Sequence, residues 1–147
     1  MERLRKPKNK DRRSREHLTP IEVEKVIRSA GKVGRHCLRD TTMILVAYRH
    51  GLRVTELIAL KWNQVDLKSA QLHVHRIKNG MDSIHPLYGP EIRALRKISA
   101  ESQGSPYAFT SERGGPMVAD TFRKLLARAG DIAKLGMPIH PHMLRHS

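Results

Sequence analysis

The apolar residues of this 147-residue chain change their spacing twice, and that change restricts the fold more than any other feature. From Pro20 to Leu60 they recur three and four apart, as on one side of an α-helix. Val65 and Leu67, Leu72 and Val74, and then Ile84 alternate with polar residues, as in strands. Helical spacing returns after Gly89-Pro90, at Ile92, Leu95 and Ile98, and again at Phe122, Leu125, Leu126 and Ala129. The turn signal Lys78-Asn79-Gly80 sits between the alternating stretches. Helices, a few short strands joined by a hairpin, and helices again predict an α+β domain, mainly helical with a small antiparallel sheet of two or three strands.

Local signals set the boundaries. Thr19 at N-cap, Pro20 at N1 and Glu22 at N3 form a capping box, so a helix starts there and runs to about Ala30, with Gly31 as its stop. Its apolar stripe is Ile21, Val23, Val26 and Ile27. A second helix is expected from about His36 to His50, with Leu38, Thr41, Thr42, Leu45 and Val46 near one face and Gly51 ending it. A short helix capped by Thr55 follows. Gly104 to Pro116 reads as a loop around Tyr107-Ala108-Phe109. A further helix is expected from about Val118 to Ala129, and His142 to His146 read as the opening of another.

Charge is concentrated at the start of the chain. Residues 1–17 hold eight Lys and Arg against three Asp and Glu, with Met1 and Leu4 as their sizeable apolar groups. Such a segment cannot bury enough surface to order itself, so it reads as a basic flexible arm preceding a domain at 18–147. The whole chain carries a formal charge of +14, which points to a polyanionic partner, most often nucleic acid. The single cysteine, Cys37, rules out an internal disulfide and a Cys-only zinc site. No apolar run approaches the roughly 20 residues needed to cross a bilayer, and the first residues lack the apolar stretch of a secretory signal. The expectation is a soluble, basic, intracellular domain without a membrane partner, and charge alone does not separate a nucleic-acid binder from a ribosome-associated or merely basic protein.

Two motif regions and a hairpin lie in a fixed order: Gly51-Leu52-Arg53-Val54-Thr55-Glu56-Leu57, then Arg76-Ile77-Lys78-Asn79-Gly80, then His140-Pro141-His142-Met143-Leu144-Arg145-His146-Ser147. Together they resemble the catalytic domain of the tyrosine recombinases (phage integrases). A short basic arm leading directly into that domain is similar to the small invertases that control fimbrial phase variation. The resemblance spans about residues 18 to 147.

It implies site-specific DNA recombination, by integration or inversion, through a 3′-phosphotyrosine intermediate. Arg53 and Arg145 would clamp the nonbridging oxygens of one phosphate, because each guanidinium offers a permanently charged fork of donors. Lys78 would protonate the leaving deoxyribose oxygen, and His142 would hydrogen-bond the phosphate or handle the nucleophile's proton. Glu56, one helical turn beyond Arg53, would orient that arginine from behind. Arg53, Lys78 and Arg145, with Arg12 and Arg13 of the arm, are the expected DNA contacts. No metal or nucleotide cofactor is implied, because the transesterification conserves bond energy. The expected setting is a bacterial cytoplasm, at the nucleoid, with double-stranded DNA as partner and self-association or pairing with a full-length recombinase possible.

The family's nucleophilic tyrosine lies beyond the His-x-x-Arg motif, whereas Tyr48, Tyr88 and Tyr107 all precede it. The expectation is therefore a C-terminally incomplete domain, marginally stable, that binds a phosphate without forming the covalent link. Two other readings compete. One is a non-catalytic DNA-binding regulator. The other is a metal site on His142 and His146 or on His73 and His75, set aside because no glutamate completes an HExxH arrangement.

Overall fold

The computed structural model of the chain describes residues 16–76 and 80–145. The arm residues Arg12 and Arg13, and Lys78 of the hairpin, lie outside the described residues.

Thr19 starts the first helix as its sequence predicts. Its hydroxyl accepts from the Glu22 N–H at 3.2 Å, and the Glu22 carboxylate accepts from the Thr19 N–H at 2.9 Å. The helix, α1, runs Pro20–Ala30 and buries Val23, Val26, Ser29 and Ala30. Ile21, expected in the stripe, is instead 66% exposed, because the buried face is centred one turn further on.

The second helix, α2 (Cys37–His50), is the centre of the domain. Met43, Ile44, Val46 and Ala47 are buried, and α1, three later helices and the terminal turn all pack on it. Enclosure from several sides explains why no single apolar face forms: Leu38 and Leu45 are only half-buried, while Asp40 and His50 are buried. Gly51 ends α2 in the left-handed region, at φ 62°, where a side chain would be strained. The backbone reverses there and delivers Arg53 to the start of α3 (Val54–Ile58). Thr55 lies inside this helix. Its N-cap is Arg53.

Three short strands form an antiparallel sheet in the order β1 (Val65–Asp66), β2 (Gln71–Val74), β3 (Ser83–Pro86). Leu72 pairs with His85 and Val74 with Ser83. Residues directly opposite share a face of the sheet, so the face that buries Leu72 and Val74 also takes His85 and Ser83. Ile84, the apolar member of the β3 alternation, faces outward and is 58% exposed.

Helix α4 (Gly89–Glu101) buries Leu95 and, beside it, the carboxylate residue Glu91, which has no exposed surface. The following loop folds Ala108 and Phe109 into the core and bonds the Ala108 N–H to the Leu60 carbonyl at 2.9 Å. Helix α5 (Ala119–Ile132) extends three residues beyond the expected end and buries Phe122, Leu126 and Ala129. A Cβ on Gly130 would lie 2.6 Å from Ile139 Cγ1, so bare backbone lets the returning chain lie directly on α5. That chain closes in a 3-10 turn, Pro141–Leu144. The turn replaces the α-helical opening expected there, because Arg145 has already returned to extended backbone at φ −82°, ψ 136°. Among the described residues no helix is long and apolar enough to cross a membrane.

Candidate functional site

Of the residues singled out in the sequence, Arg53, Glu56 and Arg145 lie around the end of α2. Arg53 is half-buried at the N-cap of α3, and its N–H donates to Glu56 Oε1 at 2.8 Å. This bond fixes the direction in which Arg53 leaves the backbone. Glu56 is buried, with 3% of its side chain exposed, and the same oxygen accepts from Arg76 Nη1 at 2.9 Å. Glu56 therefore supports Arg53 through the main chain and neutralises a second arginine.

Arg145 arrives from the far end of the chain. Its Nε donates to the Gly51 carbonyl at 3.1 Å, across 94 residues of sequence. The turn that carries it is itself tied down: Leu18 N–H donates to the Met143 carbonyl at 3.0 Å, and His17 Nδ1 lies 2.8 Å from the Arg145 carbonyl. His17, the last residue assigned to the arm, is thus bonded to the folded body. With Nε committed to Gly51, four guanidinium donors remain on the terminal nitrogens of Arg145. His142 is exposed one turn before Arg145, with its ring stacked on His140 at 6.5 Å.

Arg76 is the residue that the motifs did not single out. Besides Glu56 it reaches two carbonyls, Gly51 through Nη1 at 3.2 Å and His50 through Nη2 at 3.3 Å. The alternation of β2 carries the signal that finds it. Arg76 continues the inward side set by Leu72 and Val74, and a cation on a burying face requires a carboxylate and acceptors. The base of the hairpin is thereby joined to the loop that presents Arg53. Exposed Asp82 closes the hairpin from the other side, accepting from the Arg76 N–H at 3.2 Å and contacting His75 Nδ1 at 3.2 Å. The bond to His75, and then that to the Arg76 backbone, hold its carboxyl below the usual value.

Next to these carbonyls runs a polar chain, buried at His50 and Glu91 and half-buried at Ser83 and His85. His50 Nε2 is 2.6 Å from Glu91 Oε1, His50 Nδ1 is 3.0 Å from His85 Nδ1, and His85 Nε2 is 2.9 Å from Ser83 Oγ. The second Glu91 oxygen accepts from the Tyr88 N–H at 3.0 Å. Burial, then the neighbouring His50 and Arg76, hold His85 below the usual histidine value, against an opposing pull from Glu91.

The three tyrosines are placed elsewhere. Tyr48 packs against the core, the Tyr88 ring lies 5.3 Å beneath the Arg49 guanidinium, and the Tyr107 ring lies 5.7 Å from Lys61 Nζ. A cavity of about 670 Å³ lies between the start of α2 and the 104–116 loop and is lined by none of Arg53, Glu56, Arg76 or Arg145.

The phage integrase family matches residues 16–147. The type 1 fimbriae regulatory protein FimB of Escherichia coli (strain K12) is 35% identical over 146 residues, covering 95% of this chain and 72% of that protein. The corresponding FimE protein of the same strain is 33% identical over 141 residues, covering 90% of this chain and 70% of that protein. Among solved structures, XerA recombinase superposes with a TM-score of 0.74 at 26% identity, over 88% of this chain. The lambda integrase catalytic core gives 0.70 at 26% identity, again over 88% of this chain and over 78% of its own. The chain spans about half, 47%, of the XerA polypeptide.

Proposed function

Because this chain belongs to the phage integrase family, we propose that it acts on double-stranded DNA in site-specific recombination, with Arg53 and Arg145 holding one backbone phosphate. The observation that carries this reading is the bond from Arg145 Nε to the Gly51 carbonyl, two residues before Arg53. That bond brings the Arg145 guanidinium to the loop whose backbone leads into Arg53, although the two lie far apart in sequence. A phosphate there would meet two charged forks, and negative charge developing on its oxygens would be met by donors already in position.

Lys78, two positions after Arg76 in the sequence, would supply the proton to the leaving oxygen. His142, in the turn before Arg145, would serve the phosphate or the attacking hydroxyl. Glu56 acts behind Arg53. Arg12 and Arg13 would add phosphate contacts along the duplex. Tyr48, Tyr88 and Tyr107 are assigned no nucleophilic role, because all three precede the His-x-x-Arg motif, whereas the family's nucleophile follows it. We place this action in a bacterial cytoplasm, at the nucleoid, on the likeness to the Escherichia coli proteins, and the proposal includes assembly with copies of itself or with another recombinase.

Binding to a labelled DNA duplex at several salt concentrations tests the reading. Arg53→Ala and Arg145→Ala are each expected to weaken binding and to reduce the slope of log K against log salt by about 0.9, the value for one lost phosphate contact. Removing residues 1–15 is expected to lower affinity without abolishing the effect of either arginine. If both alanine variants bind with unchanged affinity and slope while the arm deletion removes all binding, the protein is a generic basic binder and the clamp is wrong. With a suicide duplex, no covalent adduct is expected on Tyr48, Tyr88 or Tyr107, and an adduct mapped to any of them reassigns the nucleophile.

A further inference from the structure

The buried chain Ser83–His85–His50–Glu91 has no part in the phosphate chemistry above, yet it costs the fold a carboxylate with no exposed surface and a buried histidine. Burying such groups is unfavourable unless every bond is made. Here one proton assignment satisfies them all. The Ser83 hydroxyl donates to His85 Nε2, His85 Nδ1–H donates to His50 Nδ1, and His50 Nε2–H donates to Glu91 Oε1. The remaining Glu91 oxygen takes the Tyr88 N–H. In this arrangement each bond holds one hydrogen.

The position of His50 gives the chain its significance. His50 is the last residue of α2. Its own carbonyl receives Arg76, and the next carbonyl, that of Gly51, receives both Arg76 and Arg145. The side chain of His50 is held from one side by α4, through Glu91, and from the other by β3, through His85. These bonds fix the rotation of the last peptide groups of α2, and so the direction in which the two carbonyls point.

We propose that His50, Glu91 and His85 are positioning residues of the phosphate site, which aim the His50 and Gly51 carbonyls so that Arg76 and Arg145 dock in register with Arg53. The proposal rests on the phosphate-site reading for its functional meaning, but its geometric part stands separately. The charged groups around the chain are Arg76 with its partner Glu56 on the α3 side, and Arg49 over Tyr88 at the edge of α4. None of these substitutes for Glu91 as the acceptor of the His50 Nε2 proton.

The test follows the Nε–H signal of Arg145 by NMR in the full 147-residue chain, together with affinity for a labelled DNA duplex. In the unaltered protein this Nε–H, bonded to Gly51, should exchange with water at least about tenfold more slowly than the Nε–H of an exposed arginine such as Arg28. Glu91→Gln keeps the size of the side chain but weakens the acceptor. It should move Arg145 Nε–H to the exposed range and weaken DNA binding about three- to tenfold. Should Glu91→Gln fail to fold, the pair His85→Asn and His85→Leu decides. Asparagine can present an N–H donor near the place of Nδ1 and should keep the slow signal, whereas leucine cannot and should lose it.

The proposal is overturned if a folded Glu91→Gln, or His85→Leu, leaves Arg145 Nε–H protected and DNA affinity unchanged. A different pattern identifies failure of the functional reading instead. If Arg145→Ala itself has no effect on DNA binding while Glu91→Gln still releases the Arg145 signal, the positioning geometry is right and the phosphate site is wrong.

Discussion

Two helix starts in this molecule use the same local device in opposite surroundings. At Thr19 and at Arg53, the glutamate three residues on accepts the N–H of the N-cap residue, at 2.9 and 2.8 Å. Thr19 is exposed and Glu22 half-buried, and their reciprocal bonds begin α1. Glu56 is buried, and the oxygen that caps α3 also neutralises Arg76, which in turn grips the end of α2. One motif is therefore a local start signal in the first case and a structural junction in the second. The difference lies in burial and charge, neither of which is visible in the spacing of the motif.

Breaking the junction should have the largest effect. Glu56→Ala leaves Arg76 half-buried without its carboxylate and is expected to destabilise the domain by about 3 kcal/mol, measured as a lower urea midpoint at unchanged slope. Glu56→Gln can still cap Arg53 and should recover part of that loss, which separates the capping bond from the ion pair. Next comes Gly130→Ala, where the added methyl would meet Ile139 at 2.6 Å. A loss of about 2 kcal/mol is expected, and because the displaced segment leads to Arg145, DNA affinity should fall with it. Thr19→Ala, at the exposed start, should cost only about 1 kcal/mol and leave DNA affinity unchanged. A Thr19→Ala loss as large as that of Glu56→Ala would refute the contrast.

The smallest expected effect is a dependence on pH that belongs to the buried side alone. His85 is held below its usual value, so above pH 6.5 it is neutral in both the folded and the unfolded chain and contributes no slope. As the pH falls through 6.5 the unfolded chain takes up the proton first. Stability therefore declines until the lower, folded value is passed. Urea midpoints for the unaltered chain and for His85→Asn, compared across this range, should show the decline reduced in the variant.

The parts of the fold that were legible in the sequence are those decided by neighbours along the chain. The Thr19 box, the Gly51 reversal and the alternation of β2 all rest on residues a few positions apart, and all appear where expected. The family was legible as well, because Gly51–Leu57 and His140–Ser147 keep their order. The sequence misled where the interior chose a polar residue over an apolar one. Alternation in β3 favoured Ile84 for the core, but the pairing with β2 turned His85 inward, toward His50 and Glu91. Thr55 is the better cap by residue type, yet Arg53 holds the position, because Glu56 supplies the acceptor from inside the helix. Glu91 in the first turn of α4 reads as an ordinary helix-start carboxylate, and nothing local reveals that it is wholly enclosed.

The bonds from Leu18 to Met143 and from His17 to Arg145 have a practical consequence. They seat the entry of the polypeptide into the domain on the very backbone that presents the second arginine. Any tag, fusion or truncation made at the amino-terminal side must spare these two residues. A cut even slightly too deep would loosen Arg145 from below, and the resulting loss of binding would be misread as the contribution of the basic arm.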